Sequence, residues 1–102
     1  MIQHNAPTGN EQGGSHPAIV VAVHEHSQLC TVIPLTSNGM ANRFSFTHQI
    51  QRSDINRLNN DSVAMIFQIT CIDWIKFQRK IGLLEQTHHH QICIKMKQFF
   101  GL

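Results

Sequence analysis

The chain has 102 residues, 41% of them hydrophobic and 14% charged, with a formal net charge of +2. That suits one compact domain: the chain is too apolar to be disordered, and no apolar run approaches the roughly 20 residues a membrane-spanning helix needs. The mild basicity allows a polyanionic partner, and eight histidines extend that allowance because imidazoles become cationic near phosphate.

Residues 1–15, MIQHNAPTGNEQGGS, hold Pro7, Gly9, Gly13 and Gly14 with almost nothing apolar, and read as a loop or mobile arm of a single domain spanning 1–102. The segment has neither the charged start nor the apolar stretch of a secretory signal, so a cytoplasmic home is expected. PAIVVAV is a continuous β-branched run, short enough for a strand buried on both faces, with Pro17 at its first position where no ladder donor is lost. HEHSQ interrupts it and LCTVIPL resumes it, which predicts two antiparallel strands.

TSNGMAN is a turn-rich loop, and RFSFTHQI then alternates, with Phe44, Phe46 and His48 on one side of a half-exposed strand. Core packing is the expected use of the two phenylalanines, with a base-stacking platform the alternative. QRSDINRLNND is polar and aperiodic, a loop with room for one helical turn at Asp54–Leu58. Arg43, Arg52 and Arg57 around it either track phosphates or merely solubilise. SVAMIFQITCID, the longest β-run, reads as a central strand and KIGLLE as a short closing one.

In the tail, Ile92, Met96, Phe99 and Phe100 recur at helical spacing, with Thr87 as the expected N-cap and Gly101 as the stop. The fold class is therefore mainly β with a C-terminal helix (α+β), a small antiparallel barrel or curled sheet. Cys30, Cys71 and Cys93 are odd in number and set among apolar residues, as reduced core thiols are. His24 and His26 share a strand face without a third ligand, and His88, His89 and His90 fan out around a helix start. Neither group makes a metal site, and no cofactor is expected.

Five segments in order, GNEQGGSHPAIVV, VIPLTSN, LNNDSVAMIFQITCID, KIGLLE and a helix ending in GL, resemble the MazF/PemK family of toxin endoribonucleases. The resemblance implies an SH3-like β-barrel, a homodimer, and growth inhibition through metal-independent cutting of single-stranded RNA by the neighbouring 2′-hydroxyl. It also implies a cognate antitoxin, contact with DNA only through that antitoxin, and no membrane association. Carried onto this chain, the catalytic candidates are Glu11 of the Gly-x-Glu-Gln loop, His16 before Pro17, and Thr36 of PLTSN. Gln12, Ser37, Arg43 and Gln68 are the substrate-binding candidates.

Two departures matter. His16 stands where the family has arginine, exchanging a permanently charged fork for a group able to give a proton near neutral pH. MIQHNAPT offers no Gly-Asp-hydrophobic first strand, so the barrel is expected to lack that strand unless it is encoded upstream. An inactive RNA- or antitoxin-binding relative, and a toxin resembling the gyrase poisons, are the competing functions.

Overall fold

In the computed structural model the described residues are 2–5, 15–73, 75 and 77–102. The two apolar runs form β2 (Ser15–His24) and β3 (Leu29–Thr36), paired antiparallel with Ala18 opposite Pro34 and His24 opposite Leu29. Their alternating side chains fill both faces, as an unbroken apolar run requires. Ile19, Ile33 and Leu35 join a core that includes Ile50, Leu58, Ile66 and Ile92, while Ala18, Cys30 and Val32 pack with Ile72 in a second one.

The N-terminal segment corrects the sequence reading. Ile2–Asn5 is a strand, β1, pairing antiparallel with β2 (His4 opposite His16) and with β7 (Phe77–Lys80). The fold therefore has a first strand, and these residues are not a loop. Four residues are too few to show a period, and backbone ladders on both sides hold any side chain equally well.

β4 (Thr47–Ile50), β5 (Ser62–Met65) and β6 (Thr70–Asp73) complete the sheet, in the order β4-β5-β3-β2-β1-β7, with β6 also on β3. Along one edge β3 pairs with β6 through Leu29–Val32 and with β5 through Leu35–Thr36. Pro34, with no N–H to offer, lies where the partner changes. The sheet curls there, but β4 and β7 at its ends do not pair, so among the described residues it is open rather than a closed barrel.

Two predicted strands are shorter than their sequence patterns. Phe46 has φ 60°, which breaks the extended run, and its carbonyl accepts both Ile66 N–H (3.0 Å) and Phe67 N–H (3.3 Å). RFSFTHQI accordingly keeps only β4, and SVAMIFQITCID is split into β5 and β6 by a 3-10 turn at Ile66–Gln68. Phe44 (46% exposed) and Phe46 (36%) are surface residues rather than core, the first tilted against Phe67 and the second edge-on to Phe99. Of KIGLLE only Lys80 is in a strand, as the last residue of β7; residues 81–85 are irregular chain leading to the helix.

The tail is helical as expected: α1 (Gln86–Phe100) buries Ile92 against the first core and ends at Gly101, whose φ of 74° a β-carbon would oppose. Its N-cap is Glu85 rather than Thr87. The Glu85 side chain is turned toward the 51–61 loop, while its carbonyl accepts the N–H of His89 at 2.9 Å.

Candidate functional site

The start of β2 and the end of β3 are neighbours. His16, near the start of β2, and Thr36, at the end of β3, both line an open cleft of about 830 Å³. Thr36 Oγ1 accepts the Asn38 N–H at 3.2 Å, which orients the hydroxyl and leaves its own proton for a ligand oxygen. Ser37 continues this wall and is exposed.

A second wall is the loop between β4 and β5, and its shape depends on one buried amide. Asn56 is 0% exposed; its Oδ1 accepts the N–H groups of Ser53 and Leu58, both at 3.0 Å, and its Nδ2 donates to Gln51 O at 2.8 Å. Nδ2 also reaches the Glu85 carboxylate at 3.1 and 3.3 Å, and Ser53 Oγ donates to the same carboxylate at 2.7 Å. Burial alone would raise the Glu85 pKa. Hydrogen bonds from Ser53, its own backbone and Asn56, with the charge of His88, outweigh burial and hold it below its ordinary value.

This lock fixes Arg57, Asn59 and Asn60 on the cleft wall. The predicted helical turn is present as a single turn, closed by Arg57 N–H to Ser53 O at 2.8 Å. The third wall is the end of β7, with Lys80, and the chain beyond it. There Gly82 lies so close to the loop that a β-carbon would overlap the Asn56 carbonyl. None of the described residues lining the cleft is acidic, and Arg57 and Lys80 give it cationic character beside the His16 imidazole. Nearby Asp61 instead accepts the Arg52 N–H at 2.9 Å. Such a cleft suits a polyanion, with donors for phosphate oxygens and one group able to move a proton.

Of the sequence candidates, His16, Thr36 and Ser37 are brought together. Arg43 ends a 3-10 turn with its guanidinium 4.8 Å from the Phe44 ring centre, and Gln68 is exposed in another such turn; neither lines the cleft. Glu11 and Gln12 lie outside the described residues. Lys80 and Asn56 escaped the sequence reading because an aperiodic polar loop and a strand-end lysine carry no pattern. Among the described residues no cluster of metal-ligating side chains forms, and His24 Nε2 lies 2.9 Å from Thr31 Oγ1.

A separate histidine pair joins β4 to α1. His48 Nε2 is 2.8 Å from His88 Nδ1, and Lys95 Nζ reaches Thr47 O at 2.8 Å and His48 Nδ1 at 3.3 Å. An ammonium can only donate, so His48 Nδ1 accepts and its proton is on Nε2, donated to His88. Burial first, then the charges of Lys95 and His88, push the His48 pKa down to about 4.

An open, curled antiparallel sheet with one C-terminal helix, carrying a cleft whose described lining is basic and polar, defines a small β domain. Residues 1–100 match the family of PemK-like, MazF-like toxins of type II toxin-antitoxin systems, and the chain belongs to that family. Its partner class is accordingly an antitoxin. The fold is similar to that of a solved structure described as Mycobacterium tuberculosis toxin MazF-mt6, with a TM-score of 0.73 and 20% identity over 100% of this chain and 98% of that one. A second, described as a crystal structure of an Mtb toxin, gives 0.68 and 19% over 96% and 98%. No curated relative matches the sequence significantly. No helix among the described residues is long and apolar enough to cross a membrane.

Proposed function

We propose that this toxin is a metal-independent, sequence-specific endoribonuclease acting on single-stranded RNA. The observation that carries the reading is that His16 and Thr36 line the same cleft, whose described lining is free of acidic groups. The substrate supplies its own nucleophile: the 2′-hydroxyl attacks the adjacent phosphorus and the P–O5′ bond breaks. A 2′,3′-cyclic phosphate and a 5′-hydroxyl remain. Glu11 takes the 2′ proton, His16 protonates the leaving 5′-oxygen, and Thr36 donates to the oxygens that gain charge. Gln12 and Ser37 are assigned to holding the strand at the cleft, and Arg43 and Gln68 to holding it where it runs outside the cleft.

Cutting is held in check by a cognate antitoxin, which alone provides any contact with DNA, and the active species is a homodimer. The exposed Phe99, Phe100 and Leu102 at the end of α1 support a surface that a second copy covers. The test is a long single-stranded RNA incubated with protein in EDTA from about pH 5.5 to about pH 8.5, with fragment ends mapped. Cutting that leaves cyclic-phosphate ends and disappears in His16→Ala and Thr36→Ala is expected. RNA bound tightly but intact favours the second reading, an inactive binder in which histidine has replaced the gripping arginine. DNA breaks dependent on gyrase, with RNA intact, overturn both.

A further inference from the structure

Arg57 combines an unfavourable backbone with an exposed side chain at the cleft. Its φ of 58° lies in the left-handed region, which a residue with a β-carbon enters only when its surroundings impose it. Here they do: Ser53 O accepts the Arg57 N–H at 2.8 Å, and the buried Asn56 amide fixes both Ser53 and Leu58. A loop built merely to turn at this point would use glycine. Among the described residues the Arg57 guanidinium has no hydrogen-bond or ion-pair partner, although it lines a cleft whose described residues include no carboxylate.

His16 cannot serve both as a permanent charge and as a proton carrier, because donating its proton removes its charge. Lys80 is a flexible point charge without directional preference. A guanidinium carried on a locked backbone keeps its charge at every working pH, and its planar fork matches two phosphate oxygens at once. Resting on the ribonuclease reading above, we propose that Arg57 is the fixed phosphate grip of the cleft, binding the RNA backbone from the loop wall while His16 handles protons.

The decisive variant is Arg57→Gly, because it removes the grip and relieves the backbone together. Binding is measured on single-stranded RNA carrying 2′-O-methyl groups, which lacks the nucleophile and stays intact. Arg57→Gly is expected to bind about tenfold more weakly and to lower the slope of log affinity against log salt by about 0.7, the share of one phosphate contact on a single strand. Its thermal midpoint is unchanged or higher, and Arg57→Lys recovers part of the affinity. Wild-type affinity and slope in Arg57→Gly, with the parent protein binding and cutting RNA, overturn this role alone. A loss of affinity accompanied by a fall in thermal midpoint overturns it too, by making Arg57 structural. A parent protein that neither binds nor cuts RNA overturns the ribonuclease reading, and this role falls with it.

Discussion

The buried Asn56 amide donates to both carboxylate oxygens of Glu85, at 3.1 and 3.3 Å, and so ties a wall of the cleft to the start of α1. Removing the amide strands several partners at once: Ser53 N–H, Leu58 N–H and Gln51 O each lose a bond of 3.0 Å or less. A buried group left unpaired costs about 1–3 kcal/mol, so Asn56→Ala is expected to cost at least about 2 kcal/mol. Urea unfolding measures this. A cost near zero would mean that the loop holds its shape without the amide.

Gly82 meets the same lock from the other side. A β-carbon there overlaps the Asn56 carbonyl, which is backbone and cannot swing aside as a side-chain end would. Gly82→Ala is therefore expected to lose about 1–3 kcal/mol, the usual range for overpacking. It should also move Arg57, because the loop yields before the sheet does. Hydrogen exchange at the amides of 53–58 reports that movement, and unchanged protection there would refute it.

Ile92 is the buried residue of α1, 1% exposed and packed in the core that contains Ile19, Ile33 and Ile66. Ile92→Ala is expected to cost about 2–5 kcal/mol, whereas Ile94→Ala, at a position 42% exposed, should cost under about 0.5 kcal/mol. Chemical denaturation of the two variants side by side checks the contrast. Similar losses at both positions would mean that α1 packs through a different face.

β2, β3 and α1 were legible in the sequence because each buries a periodic or unbroken apolar pattern against something. The elements misread are those where backbone chemistry overrides the pattern. Phe46 looks like a strand residue but has φ 60°, and its carbonyl bends Ile66 and Phe67 out of an otherwise plausible long strand. β1 is held by backbone ladders on both sides, which leave no compositional trace. In the site, His16 and Thr36 are legible through resemblance, and the fold brings both to one cleft. The lock was not found: Ser53, Asn56 and Glu85 meet across 29 and 32 residues of chain, and nothing local in a polar loop announces a buried amide.

The His48 contact makes stability sensitive to mild acid. Its folded pKa is about 4, below the ordinary value of 6.5, owing to burial and to the charges of Lys95 and His88 on α1. Between those values the unfolded chain binds a proton that the folded chain refuses, so stability is full above about pH 6.5 and declines as pH falls toward about 4. Glu85, with its pKa lowered on folding, adds a loss of the same sign that begins only below about pH 4.5. The window from about pH 6.5 to about pH 5 therefore isolates the histidine. Because His48 is partly exposed, solvent screening reduces the expected loss there to about 1 kcal/mol. His48→Gln can still accept from Lys95 and donate to His88 but does not titrate, so its urea midpoint should change less between about pH 7.5 and about pH 5 than the parent's. An equal change in both proteins would assign the acid sensitivity to other histidines.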